Sequence, residues 1–238
     1  MILITGDIHG NAWGIYKAAK KLRLCLSDTI IIPGDVGANY YGDERDDETK
    51  AHLSKHPVTI LCVHGNHEMR PWEAEGYHLT DWNGGKVWVQ DKYPHILFAK
   101  DGEIYTIEGM RFIAIGGAYS IDKGWRLLRG YGWWESEQPT AEIKAFVEAQ
   151  LATNEIDVIL SHTCPRKFEP VDVYLPNIDQ SQVDKSTEEW LDRIEESVNY
   201  KVWYCGHWHT DRKIGKIHFM YNHWESIEKE EIENADLL

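Results

Sequence analysis

The chain has few of the features that mark secreted, membrane or polyanion-binding proteins. Its four cysteines, Cys25, Cys62, Cys164 and Cys205, are scattered with no Cys-x-x-Cys pair, which argues against a disulfide framework and for reduced core residues. No uninterrupted apolar run approaches the ~20 residues of a membrane span, so no membrane partner is expected. Cations are scarce: 25 Lys+Arg stand against 39 Asp+Glu, a formal charge of −14 that disfavours nonspecific binding to duplex nucleic acid. No Pro/Gly/Ser-rich linker, internal repeat or low-complexity tract divides the sequence, and 238 residues suffice for a well-buried core. The expectation is one domain over residues 1–238, with the acidic stretch 225–238 a final helix or a frayed tail. An apolar strand starting at residue 1 leaves no room for a signal peptide, so a soluble, cytoplasmic protein is expected.

What the chain does have is five short polar islands, each following an apolar run. They are Gly6-Asp7-Ile8-His9-Gly10, Gly34-Asp35-Val36-Gly37, Gly65-Asn66-His67-Glu68, Ser161-His162 and Gly206-His207-Trp208-His209. The runs before them, at 1–5, 28–33, 58–63, 157–160 and 202–205, read as strands. In an open α/β sheet the carboxyl ends of such strands border the ligand crevice, so the islands are placed to converge. Glycine suits a tight strand exit or a close backbone approach. Carboxylate oxygen mixed with imidazole nitrogen suits borderline ions such as Zn²⁺, Mn²⁺ and Fe²⁺, whereas a calcium cage would be built from oxygen alone. A single Asp-x-His carries little weight; five islands after five strands point to a binuclear metal site.

In order and content these islands resemble the signature of the calcineurin-like metallophosphoesterases: Asp-x-His, Gly-Asp-x-x-Asp-Arg, Gly-Asn-His-Asp/Glu, a separate His, then Gly-His-x-His. The resemblance spans residues 6–209 and implies a two-sheet α/β sandwich flanked by helices. It further implies one metal held by Asp7, His9, Asp35 and His209, and a second held by Asp35 as a bridge with Asn66, His162 and His207. The implied cofactors are two divalent transition-metal ions, Mn, Fe, Zn or a mixed pair. The implied chemistry is hydrolysis of a phosphodiester or phosphomonoester by a metal-bridging hydroxide, with His67 protonating the leaving oxygen. A small-molecule or nucleotide phosphoester is the favoured partner. One departure stands out: Ala38 and Asn39 occupy the positions of the family's second Asp, which braces the catalytic histidine, and of its phosphate-gripping Arg. That loss favours a different reading, a noncatalytic scaffold that keeps the fold and uses its cleft to bind a partner.

Replacements for the missing arginine are sought after the run 111–115, where a glycine-rich exit leads to Lys123, Arg126 and Arg129; guanidinium grips phosphate bidentately, so Arg126 or Arg129 is expected to bind substrate. Glu68 would either orient a ligand imidazole or cap a following helix. The alternative role for His67 is only to position Asn66, and Cys164 and Cys205, close to proposed ligands, are expected to be core residues rather than ligands. Runs at 86–90, 95–99, 103–108 and 111–115 read as antiparallel strands opening a second sheet, and 213–221 as a closing strand or hairpin. Helices are expected near 11–24, 140–153 and 187–198. Most of the eleven tryptophans are expected to fill the core or its edges, with Trp208, between two ligands, forced near the cleft.

Overall fold

The computed structural model describes residues 1–234, so residues 235–238 of the acidic stretch lie outside the described residues. Strands β1 (Ile2–Ile4), β2 (Thr29–Ile32) and β3 (Thr59–Cys62) lie side by side and parallel, with Ile2 opposite Thr29 and Thr29 opposite Thr59. Their sheet is completed by β4 (Tyr77–Trp82), β5 (Gly85–Gln90), β6 (Ile96–Ala99) and β13 (Glu225–Ile227), in the order β13-β1-β2-β3-β6-β5-β4. A second sheet, in the order β11-β12-β10-β9-β8-β7, is built from β7 (Ile104–Ile107), β8 (Met110–Ile115), β9 (Val158–Ser161), β10 (Val202–Cys205), β11 (Arg212–Ile214) and β12 (Ile217–Phe219). Here β8, β9 and β10 are parallel neighbours.

The two sheets close on each other through alternate side chains. Ile2, Ile4, Ile31 and Leu61 of the first meet Phe112, Ala114, Val158, Leu160 and Tyr204 of the second. The intervening residues point outward. Leu3, Ile30, Ile32 and Ile60 pack under α1 (Trp13–Leu22), while Ile113, Ile159 and Trp203 pack under α4 (Ala141–Thr153) and α5 (Ser186–Ser197). Both faces of these central strands are therefore covered, which is why they read as unbroken apolar runs. Two shorter helices, α2 (Asp46–Leu53) and α3 (Lys123–Arg129), sit near the strand exits, and α6 (Lys229–Asn234) follows β13. The Thr140 hydroxyl caps α4 by accepting from the Ile143 N–H. The chain is thus an α/β two-sheet sandwich flanked by helices, as the motifs implied.

Several expectations are corrected. Residues 86–90 and 95–99 do not open the second sheet: β5 and β6 extend the first, with β6 parallel to β3. Alternation reports which face is buried, not which strand is the neighbour. The crossing between sheets comes after β6, at a turn where Gly102 adopts φ +81°. The β4–β5 hairpin was not expected at all, although its Asn83-Gly84 turn, with φ 48° and 93°, is the pair of residues that a tight primed turn requires. Residues 225–227 are not a frayed tail, because β13 pairs antiparallel with β1. The tryptophans follow the expectation in the main: Trp190 and Trp203 are fully buried and Trp82, Trp88, Trp208 and Trp224 pack at the core's edges, while Trp13, Trp72 and Trp125 are exposed.

Candidate metal centre

The parallel strands β1, β2 and β3 end side by side, and so do β9 and β10 opposite them, so the five islands face one another across one end of the sandwich. The Asp7 carboxylate, His9 and His209 bring one ligand atom each within 4.8 Å of one another, and Asp7, Asp35 and His162 do the same. His9 Nε2 faces His209 Nε2 at 3.0 Å, and the latter lies 3.5 Å from Asp7 Oδ2. His162 Nε2 is 2.8 Å from Asn66 Oδ1 and 3.6 Å from Asp35 Oδ2, while His207 Nδ1 is 3.1 Å from the same Asn66 oxygen. All seven expected ligands therefore meet at one place. Asp35 shares a ligand cluster with Asp7 and His162, and Asp7 is the member common to both clusters.

Neighbouring groups fix which atoms are presented. His162 Nδ1 donates to the Pro33 carbonyl at 2.9 Å, which turns Nε2 towards Asn66 and Asp35. Asn66 Nδ2 donates to Ser120 Oγ at 2.9 Å, which leaves its Oδ1 facing the histidines. Imidazole nitrogen, amide oxygen and carboxylate oxygen thus converge as acceptors. Acceptors packed this way repel one another unless a cation lies among them. Asp7 Oδ1 is buried with no hydrogen-bond partner, an expensive arrangement for a carboxylate unless it faces a cation. The donor set and this orphaned oxygen fit a pair of borderline divalent ions.

The backbone is bent to achieve the convergence. Positive φ is rare outside glycine, yet His9 (44°), Asp35 (49°), His207 (64°) and His209 (48°) all adopt it. Such strain gathers at functional sites, where the surroundings enforce it. Three glycines make room for ligands: a Cβ on Gly34 would strike the His162 ring, one on Gly65 would strike Asp35, and one on Gly206 would strike Asp7.

Titration follows from burial and neighbours. Burial opposes charge on Asp35, but His162, His67 and His9 around it hold the carboxyl at about 2. Burial pushes His207 well below the ordinary histidine range, whereas a hydrogen bond to Asp7 raises His209. Burial, and then the charge of Asp35, push Glu68 up to about 8.

Glu68 neither touches a ligand ring nor starts a helix. It is fully buried and accepts from the backbone N–H groups of Gly65 (3.0 Å) and Gly37 (3.2 Å), tying the second island to the third. His67 projects into the cleft, its ring edge-on to His9 at 5.6 Å and its own N–H donating to Asp35 Oδ1 at 2.9 Å. The cleft above the ligands has a volume of about 370 Å³. Tyr119, Ile121 and Asp122 form one wall and Val173, Tyr174 and Leu175 the other. Trp208 lines it as its position between two ligands required, stacked on Tyr174 at 5.7 Å with Lys185 over both rings. Cys164 and Cys205 are buried in the core beneath α4 and α5 and belong to neither ligand cluster.

Where the family carries its second Asp and Arg, Ala38 and Asn39 are buried, and Asn39 accepts from the Tyr77 hydroxyl at 2.9 Å. Arg126 and Arg129 lie on the same short helix in different surroundings. Arg129 is exposed. Arg126 is 1% exposed, sits between the rings of Tyr40 (5.9 Å) and Trp134 (6.0 Å), and has no hydrogen-bond partner for any guanidinium nitrogen. It is close enough to His67 to help burial depress that imidazole, against the pull of Asp35 and Asp122.

Sequence reasoning missed the supports. Ser120 orients Asn66, and its own N–H is held by buried Glu137 at 3.2 Å. Buried Asp101 accepts from Gly116 N–H at 2.6 Å and pairs with Arg70, fixing the exit of β8. The partners are 15 to 54 residues apart in sequence, and the glycine pair 116–117 was the one local signal of a constrained exit.

The signature motifs match the calcineurin-like phosphoesterase family over residues 1–211. The chain belongs to that family. A search of curated proteins found no match. Membership carries metal-dependent phosphoester hydrolysis as the family's general chemistry, and the ligand clusters agree with it. No helix among the described residues is long and apolar enough to cross a membrane.

Proposed function

We propose that this phosphoesterase hydrolyses a phosphodiester, or next a phosphomonoester, with two transition-metal ions of the Mn, Fe or Zn type. The observation that carries the reading is the meeting of seven candidate ligand side chains from five strand ends, with Asp7 common to two clusters and Asp35 beside His162 in one of them. Asp7, His9, Asp35 and His209 would hold one ion; Asp35, Asn66, His162 and His207 the other. Bound there, such a pair lowers the pKa of water and offsets charge on phosphoryl oxygens, which is what displacement at phosphorus demands.

The remaining work falls to the chain's own groups. His67, at the cleft floor, delivers a proton from a ring nitrogen to the departing oxygen. Arg126 supplies the guanidinium absent after Asp35: three unpartnered buried nitrogens near His67 are a costly arrangement that a phosphate oxygen would relieve. The apolar and aromatic wall of Val173, Tyr174, Leu175 and Trp208 keeps bulk water from one side of the site and suits an organic ester substituent.

The test is turnover of bis(p-nitrophenyl) phosphate and p-nitrophenyl phosphate by protein reconstituted with Mn²⁺, Fe²⁺ or Zn²⁺, with metal content measured in parallel. Diester turnover that vanishes on chelation and returns with metal supports the proposal. Two bound ions with no turnover of either ester would leave a metal-binding scaffold in its place.

A further inference from the structure

On the far side of the His9 loop a second concavity, about 730 Å³ in volume, lies between α1 and the end of α2. Gly10, the residue after His9, forms its inner lip, and Trp13, Tyr16, Lys20, His52 and Lys55 line it. Three observations set it apart. First, a large aromatic is displayed: Trp13 is 61% exposed, its ring stacked nearly parallel on half-buried Tyr16, 17° apart at 5.5 Å. Second, the charge is inverted. In a chain of net charge −14, α1 carries three lysines and no acid, and no residue lining the concavity is acidic. Third, Lys17 and Lys20 stand over the Trp13 and Tyr16 rings at 5.7 and 5.8 Å, so cationic and planar surfaces alternate along one helix face.

We infer that this groove binds single-stranded nucleic acid, with a base stacked on Trp13 and backbone phosphates on Lys20 and Lys55, and that it leads one end of the strand over Gly10 to the metal centre. Stacking platforms interleaved with lysine are how proteins hold unpaired strands without reading sequence. A duplex offers no unstacked base to Trp13, and the acidic remainder of the surface repels a long polyanion; a short unpaired end meets neither obstacle. An acidic peptide would satisfy the lysines but gives no reason for an exposed planar platform. The delivery of the strand end to the metals rests on the phosphoesterase reading; binding in the groove does not.

The experiment uses metal-loaded full-length protein and a 5′-fluorescein dT12 with phosphorothioate linkages, followed by anisotropy over a range of salt. Trp13→Ala should weaken binding about tenfold, as loss of a base–aromatic stack does. Lys20→Glu with Lys55→Glu should flatten the plot of log affinity against log salt by about 0.7 for each phosphate that the lysines no longer neutralise. All variants should hydrolyse bis(p-nitrophenyl) phosphate like the parent, since neither Trp13 nor the lysines belong to the metal centre. The KM for unmodified dT12 should rise with kcat unchanged. Failure of the parent to bind dT12, or unchanged affinity in Trp13→Ala, overturns the inference. Displacement of dT12 by polyglutamate as readily as by unlabelled dT12 overturns it in favour of an acidic-protein surface. If the parent binds dT12 as described but hydrolyses no ester, the phosphoesterase reading fails and the groove stands.

Discussion

Gly206→Ala tests the metal centre by sterics alone, without touching a ligand. The added methyl would overlap Asp7 Oδ1 and approach the Pro33 carbonyl at 3.2 Å. Gly206 cannot back away cheaply, because its N–H donates to the His162 carbonyl at 2.9 Å and the next N–H, of His207, donates to Asp7 Oδ2 at 2.8 Å. Overpacking a tight site costs about 1–3 kcal/mol. Losing the hydrogen bond to the Asp7 carboxylate adds about 1.5–3 kcal/mol. At about 2–4 °C per kcal/mol for a chain of this size, the sum of roughly 2.5–6 kcal/mol lowers Tm by about 5–24 °C. A typical domain holds about 5–15 kcal/mol, so the variant still folds at low temperature. With Asp7 displaced, the ion shared by Asp7, His9 and His209 should be lost, and elemental analysis should fall from two metals per chain to one or none. Gly124→Ala is the control: its Cβ would meet nothing within 4 Å on helix α3, and it should be neutral or gain about 0.5–1 kcal/mol. Calorimetry and metal analysis on both variants read the outcome. A Gly206→Ala protein with full metal content and an unchanged Tm would refute the geometry drawn for Asp7 and His207.

Four further outcomes follow from the same arrangement. Asp35→Asn should deplete both metals at once, because the proposed centre makes Asp35 the bridge; elemental analysis showing one ion retained at full occupancy would remove it from that role. His67→Ala should cut turnover by about 10²–10⁴-fold for esters with alkoxide leaving groups and far less for nitrophenolate, with metal content intact; equal losses would make His67 a positioning residue. Arg126→Met should raise KM for phosphoesters while leaving Tm unchanged or higher, since a buried cation without hydrogen-bond partners is exchanged for an apolar chain of similar length; a large fall in Tm with unchanged KM would make Arg126 structural. On β13, opposite Ile4, burial raises the Glu225 carboxyl but hydrogen bonds from His218, Lys213 and Tyr204 outweigh it and hold it at about 2, against 4.5 unfolded. A depressed folded pKa stabilises above the unfolded value, so about 1–2 kcal/mol present at pH 5 should disappear as pH falls towards 2, and Glu225→Gln should lose that acid dependence in urea melts.

The candidate ligands stand out in the sequence because most are announced locally, although no glycine precedes His162. An apolar β-branched run, a glycine and a metal-ligating residue lie within a few positions of one another, and the fold only has to set the strand ends side by side. Asp7, Asp35 and His207 illustrate this, each directly after its glycine. The strands after Glu68 were legible as strands but not as members of one sheet or the other. Val87, Val89, Leu97 and Tyr105 share the central core whichever sheet carries them, so their burial pattern is the same in both arrangements. The Asn83-Gly84 turn was a readable signal left unread. Ser120, Glu137 and Asp101 had no such signal, since each acts on a residue far away in sequence and looks like ordinary loop polarity until the chain is folded.

Several buried polar groups at this end of the sandwich have no hydrogen-bond partner within the chain, as do others elsewhere in it, such as those of His56, Trp88 and Gln90. Among the described residues, buried polar atoms without partners include Asp7 Oδ1, Asp122 Oδ1, Trp208 Nε1, Glu188 Oε2 and all three Arg126 nitrogens, and Asp7, Asp122, Trp208 and Glu188 lie in or around the ligand cleft. Each such atom costs the folded state free energy that a well-packed interior does not give up. Acceptors gather at the strand ends, and the Arg126 guanidinium, without a hydrogen-bond partner, lies to one side near His67. Left-handed backbone at His9, Asp35, His207 and His209 adds strain to the same few residues. An end built only to close the sandwich would have placed glycine or asparagine at those turns and paired the buried charges. The chain instead keeps imidazoles and a carboxylate there, so stability is given up at the positions where metals and a phosphoester would restore it.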